Sequence, residues 1–346
     1  MKNKLKKFLL MLLVNSFSLF SCGKNSSRIG IFIYDETDTF IGTLNNNIRN
    51  ELNENKLDYG IYYASRSQTK QNEQVTQAIE SNSYAILLLN LVDRLAGNAI
   101  MDKAALYDLP LVFFNREPLS SDLIKHENTY YVGSNPQVEG ILQAYMVESL
   151  FGSPTSLNEK YDKNGDGTIQ LILLRGEQGH QDSEERSKYS IGQLRDDGYN
   201  IDILESFYCN WQRDKAKEVT RELYEIDNYT NDDIELIISN NDDMALGAID
   251  YLLEKDLFLS DAEDVSMQPY PIIGVDATSV GLEAIKKNCM YGTVKNDALE
   301  QATAIVTLTD YILNKLPIDA SFPFEFESEH KIYIRGTIVT KADITD

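Results

Sequence analysis

Positive charge is what this chain has least of. It carries 32 Lys and Arg against 54 Asp and Glu, a formal charge of −22 at pH 7. A surface of that sign repels phosphate backbones, which argues against nucleic acid as a partner. No glycine-rich phosphate loop, internal repeat or low-complexity segment stands out. Tryptophan occurs once, as Trp211, and cysteine three times, as Cys22, Cys209 and Cys289. Cys209 and Cys289 each sit beside an apolar stretch; they either pair, as export would permit, or lie buried as free thiols. Neither is given a catalytic role. With 42% hydrophobic residues in 346, there is ample core material for two domains.

Long apolar runs are also missing. The run "FLLMLLV" at 8–14 follows the basic "MKNKLKK" and is too short to span a bilayer, so residues 1–21 are expected to be a secretory signal. Leu19-Phe20-Ser21-Cys22 resembles a bacterial lipobox, which makes Cys22 the expected lipidated first residue of an exported, membrane-anchored protein. Residues 22–27 then read as a polar tether.

From Arg28 the pattern alternates. "IGIFIY", "YAILLLN", "LPLVFFN", "IQLILLRG", "IELIISN" and "YPIIGVD" are apolar runs of the kind that form fully buried parallel strands. Segments of helical length separate them, such as "DRLAGNAIMDKAALYD" and "NDDMALGAIDYLLEKD". Strict alternation predicts an α/β fold with helices on both faces of parallel sheets. There are too many strands for one sheet, so two doubly wound lobes are expected. The loops after the strands are polar, with Asn or Asp at or near each strand end, as a hydrogen-bonding crevice would need. The stretch 261–271 is expected to be a long acidic surface connection.

"YDKNGDGTIQ" at 161–170 places Asp162, Asn164 and Asp166 at alternate positions, followed by Gly167. Oxygen ligands so spaced can turn onto one calcium ion, with the carbonyl of Thr168 and the amide of Gln170 adding two more. Taken alone, the motif serves an ordinary Asx-rich turn equally well. A calcium hand would close with a bidentate Glu, but Leu173 occupies that position. The missing carboxylate must come from elsewhere, and Glu235, opening "IELIISN", is the best candidate if that strand lies beside "IQLILLRG".

A nine-residue calcium loop completed by a distant Glu, inside a two-lobed exported protein, resembles the periplasmic galactose/glucose-binding proteins of ABC transporters. The resemblance runs from Arg28 to about Tyr333 and rests on "RIGIFIY", "NLVD", "VFFNREP", "YYVGS", "GEQGHQD", "NND", "GVDA" and "GTVKND", in order. It implies sugar ligands at Asp38, Phe40, Asn90, His180, Asp182, Arg186, Trp211, Asn241, Asp276 and Asn296. It implies structural calcium on Asp162, Asn164, Asp166, Thr168, Gln170 and Glu235. The implied function is capture of D-glucose or D-galactose and delivery to an ABC permease, with a chemoreceptor as a second candidate partner. The protein is expected to be a monomer, anchored on the periplasmic side of a membrane or at the cell surface. The acidic 261–271 stretch and the tail "GTIVTKADITD" depart from the family pattern.

The chemistry suits a pyranose, which has C–H patches on its faces and hydroxyls round its rim. Trp211 and Phe40 offer aromatic faces to the former, and acids and amides serve the latter. The expected mechanism is hinge closure of two lobes, 28–110 plus 297–332 and 111–296 plus 333–346, with crossings near Pro110, Asn296 and Tyr333. Alternatives are a surface or sensory protein of the same fold without a transporter, and a glycoside hydrolase. Against the hydrolase, Arg186 is expected to hold Asp182 ionised, with no acid raised in its pKa.

Overall fold

The computed structural model describes residues 28–319, 321–328 and 330–344; the basic leader, Cys22 and the tether lie outside the described residues. Strands and helices alternate from the start: β1 (Ile29–Ile33), α1 (Thr39–Glu54), β2 (Tyr59–Tyr63), α2 (Gln68–Ser81), β3 (Ile86–Leu89), α3 (Gly97–Ala105), β4 (Leu111–Phe114), a single turn α4 (Ser120–Leu123) and β5 (Thr129–Ser134). The chain continues through α5 (Pro136–Phe151) and a two-residue-per-strand hairpin, β6 (Gly152–Ser153) and β7 (Ser156–Leu157). A second alternating series follows: β8 (Thr168–Arg175), α6 (Gln181–Asp196), β9 (Asn200–Tyr208), α7 (Arg213–Glu225), β10 (Leu236–Ser239), α8 (Asp242–Glu254), β11 (Ile272–Val275), α9 (Ser279–Lys286) and β12 (Gly292–Lys295). It closes with α10 (Ala298–Leu313), β13 (Lys331–Ile334) and β14 (Thr337–Thr340).

Two six-stranded sheets result, ordered β13-β5-β4-β3-β1-β2 and β14-β12-β11-β10-β8-β9. All pairs in the first are parallel, and in the second only β14 runs antiparallel, against β12. The period-two geometry of a strand divides each apolar run between two cores. In β1, Ile29, Ile31 and Ile33 pack with α1 and α10, while Phe32 packs on the other face beside Val75 and Ile79 of α2. In β8, Ile169, Leu171 and Leu173 pack with α5 and α6, and Ile172 and Leu174 with α7 and α8. Burial on both faces is why these segments read as unbroken apolar runs.

The sheet order moves the first crossing between lobes. Leu111–Phe114 and Thr129–Ser134, expected in the second lobe, pair in the first sheet. Pro110 is no linker: its carbonyl accepts from Leu87 N at 3.1 Å and begins the β3–β4 ladder. The chain leaves the first sheet at Asn135, whose side chain caps α5. It returns between β12 and α10, and crosses again between β13 and β14, so Tyr333 and Ile334 belong to the first sheet and not to the second. Cys209 and Cys289 are buried free thiols, with burial raising both and pushing Cys209 up to about 12.

Helices α5 and α6 touch through Gly140. A Cβ there would stand 2.6 Å from the carbonyl oxygen of Arg186 and 3.0 Å from Ser190 N, backbone atoms that cannot rotate away. Gly140→Ala is therefore expected to force the helices apart at about 1–3 kcal/mol, read as a lower melting temperature by circular dichroism. An unchanged melting curve would mean that the contact is looser than this.

Candidate functional site

The carboxyl ends of both sheets face one another across a cleft, and helices begin there. Each helix start leaves backbone N–H groups without intrahelical partners, which side chains must satisfy. Asp38 caps α1, accepting from Ile41 N at 2.9 Å. His180 caps α6, its Nδ1 accepting from Asp182 N at 3.1 Å. Asn241 caps α8, accepting from Met244 N at 2.9 Å. All three also line the cleft, which encloses about 350 Å³ with the part open to solvent.

Phe40, Asp182, Arg186, Trp211, Asp276 and Asn296 line the same space. The structure thus gathers every residue expected at the sugar site except one. Asn90 is fully buried behind the wall: its Oδ1 accepts from Tyr34 N, and its Nδ2 donates to Phe114 O and to Asn115 Oδ1. Asn115, with φ +60° after β4, faces the cleft instead. Both asparagines directly follow apolar strands, and only the backbone turn separates their roles. Tyr34 and Arg116 also line the cleft and are not among the expected ligands, although they lie within the quoted "RIGIFIY" and "VFFNREP".

Trp211 is fixed by backbone as well as by packing. Asn210 and Trp211 both have left-handed φ, +52° and +65°, a conformation that non-glycine residues adopt at a price in strain. Gly176 makes room for the indole, since a Cβ there would lie 2.2 Å from its ring atoms. His180 meets Trp211 edge-on, with ring centroids 5.1 Å apart. Asp276, with φ +114°, is turned the same way.

The electrostatics centre on Arg186. Its Nε donates to Glu139 Oε2 at 2.7 Å, Nη1 to Asn240 O at 2.8 Å, and Nη2 reaches Asp182 Oδ2 at only 3.5 Å. Glu139, on α5, is therefore its main partner, and Asp182 is held only by one long contact. Burial pushes Asp182 up to about 7, with Arg186 opposing, so an acid raised in its pKa is present after all. Burial also drives Asp276 well above the carboxylate range, with Asp242 and Asp38 adding repulsion. Acids in this condition are desolvated acceptors short of donors. Burial, with Arg116, Arg186 and Arg94 nearby, holds His180 well below its usual value. Because Nδ1 accepts, the neutral ring carries its proton on Nε2 as a donor.

At the opposite end of β8 lies the "DKNGDG" loop. Glu235 accepts from Lys163 N at 2.6 Å and from Gln170 N at 3.2 Å, and β10 does lie beside β8. Asp162 Oδ2 accepts from Gly167 N, Asn164 Oδ1 from Asp166 N, and Asp166 Oδ1 from Thr168 N. Gly165 and Gly167 take φ of +68° and +72°. Asp162 Oδ1 and Gln170 Oε1 are buried without a hydrogen-bond partner among the described residues. Two such orphaned oxygens fit a cation. Among the described residues no group of three His, Cys, Asp or Glu is gathered tightly enough to hold a metal on its own; this loop would rely on amide and carbonyl oxygens as well.

Residues 29–316 match the family described as periplasmic binding protein domain. The chain is 35% identical over 292 residues to the D-galactose/methyl-galactoside binding periplasmic protein of Haemophilus influenzae, covering 82% of this chain and 81% of that one. An ABC transporter periplasmic solute binding protein from Actinobacillus succinogenes with bound D-allose superposes with a TM-score of 0.74 at 18% identity, over 92% and 99% of the two chains. One from Bacillus halodurans with bound myo-inositol gives 0.73 at 20%, over 93% and 97%. With two parallel-sheet lobes facing a shared cleft and this match over most of its length, the chain belongs to the periplasmic binding protein family.

Proposed function

We propose that the cleft captures one hexopyranose, D-glucose or D-galactose, and that the closed, loaded protein is what an ABC permease recognises. One observation carries this reading: a lone tryptophan and a phenylalanine share a small cleft with desolvated acids, amides and a neutral imidazole donor. Trp211 and Phe40 cover the apolar faces of the ring. Asp38, Asp182 and Asp276 accept hydrogen bonds from sugar hydroxyls, which give the two desolvated acids the donors that favour their charged form, while Asn115, Asn241, Asn296, His180 Nε2 and Arg186 donate. Hydrogen bonds to charged groups contribute roughly 1.5–3 kcal/mol each. A sugar lacking one hydroxyl leaves a buried partner unpaired and is rejected. Contacts from both lobes favour the closed state over the open one. The relatives bind several different polyols, which is why the choice of hexose belongs to this proposal. Lipidation at Cys22 completes it, holding the protein at the membrane face where permease or chemoreceptor would meet it.

Calorimetric titration tests the hexose. Glucose or galactose is expected to bind, ribose to bind far more weakly, and Trp211→Ala to weaken the hexose by at least about thirtyfold, or ~2 kcal/mol, as for a buried aromatic anchor. Unchanged affinity in that variant would remove the aromatic sandwich from the mechanism.

We also propose calcium at Asp162, Asn164, Asp166, Gln170, Glu235 and the Thr168 carbonyl, where the ion would offset clustered negative charge. Burial and repulsion from Asp162 already raise Glu235 above its usual range. A chelator is expected to lower the melting temperature by several degrees and added calcium to restore it. Glu235→Gln should lose most of that response; a chelator-insensitive wild type would dismiss the ion.

A further inference from the structure

Tyr34, Arg116 and Trp211 each face two spaces. On one side is the cleft already described. On the other is a second cavity of about 440 Å³, counting the part open to solvent, walled further by Arg66, Val92, Glu177 and Asn210. Arg116 stands where the two meet. Its Nη1 donates to Val92 O at 2.5 Å, in the first lobe, and its Nη2 to Glu177 Oε2 at 2.9 Å, in the second. Its guanidinium carbon lies 3.8 Å from the centroid of the Tyr34 ring. The side chain is only 4% exposed, whereas that of Glu177 is 44% exposed.

We propose that Arg116 is a specificity-determining partition. It confines the ligand to a single sugar ring by closing the cleft off from a neighbouring subsite suited to a second ring. The inference rests on the hexose reading above. The chemistry of the second cavity suits a hydroxylated group better than a phosphate or an acyl chain. Glu177 supplies an acceptor, Asn210 both a donor and an acceptor, Arg66 a donor, and Trp211 an apolar edge. A phosphate would meet the Glu177 carboxylate, and an acyl chain would desolvate those polar groups without pairing them. Arg66 and Asn210 hold left-handed φ of +62° and +52°, so the walls are set by the backbone. A guanidinium pinned by a carbonyl, a carboxylate and an aromatic face has little freedom to swing aside for a larger ligand.

Removing it should therefore change which ligands bind, beyond weakening the tie between the lobes. Wild type, Arg116→Ala and Glu177→Ala are titrated calorimetrically with D-glucose, D-galactose, lactose, melibiose and maltose, the disaccharides presenting their second ring from different positions. Wild type is expected to bind a hexose and to leave all three disaccharides essentially unbound. In Arg116→Ala the affinity for at least one disaccharide, relative to the hexose, should rise at least about tenfold. Glu177→Ala, which unpins the arginine at a half-exposed site, should shift the same ratio in the same direction by less. It also decides the matter if Arg116→Ala fails to fold.

A loss of affinity common to hexose and disaccharides in both variants would make Arg116 a strut between lobes and overturn the partition. So would a wild type that already binds a disaccharide as well as a hexose. A wild type that binds no hexose overturns the sugar reading, and the partition with it.

Discussion

Helices that begin at a sheet's carboxyl edge must have their first N–H groups satisfied, and that requirement shapes everything at this cleft. Asp38, His180 and Asn241 meet it from three helix starts. Each uses one atom for the cap and turns another toward the cleft. A cap is held in one rotamer by its backbone bond, so the remaining lone pair or N–H is aimed before any ligand arrives. Capping and the proposed ligand binding are thus one arrangement seen from two sides. The partial positive charge of the helix starts further favours the carboxylates gathered there.

The second constraint is the burial of charge. Arg186 and Glu139 are 3% and 1% exposed, a setting in which an unpaired ion would be severely destabilising. Arg186 resolves this with three partners on α5, α6 and the loop after β10. That leaves Asp182 and Asp276 without a full complement of donors, and their raised proton affinity records the shortfall. A polyol brings hydroxyl donors to that deficit, which a purely apolar ligand could not do.

Much of this was legible in the chain, and the gaps have physical causes. Central strands such as Ile86–Leu89 and Leu236–Ser239 are buried on both faces and show as continuous apolar runs. Tyr59–Tyr63 and Asn200–Tyr208 are edge strands of intermediate burial, and their mixed sequences carry no such signal. The first crossing was misplaced because a proline before an apolar run looks like a boundary, whereas here the Pro110 carbonyl opens a ladder. Asn90 and Asn115 have the same local context, and a left-handed φ at Asn115 decides which one faces the cleft. Glu139 gave no signal because it sits in the first turn of α5, where an acid is ordinary, and only the packing of α5 on α6 brings it to Arg186. The loop at 162–170 was plain, since its alternating oxygens and paired glycines are local.

That loop and the cleft are the two ends of one strand. β8 begins at Thr168, tied to Glu235 through the Lys163 and Gln170 amides, and ends at Arg175, directly before the Gly176 that seats Trp211. Lys163 adds a cation of the chain's own: its Nζ donates to Asn231 O and Ile234 O and lies 5.2 Å from the centroid of the Tyr270 ring. The loop is therefore fastened to the approach to β10 by covalently attached charge, independently of the proposed calcium. If calcium sits there as proposed, losing it would loosen the start of β8 without freeing it. The interior of the strand stays paired to β9 and β10, so the floor beneath Trp211 keeps its place. On the proposed calcium and hexose, stability and sugar affinity should accordingly part company under a chelator, the first falling while the second largely persists.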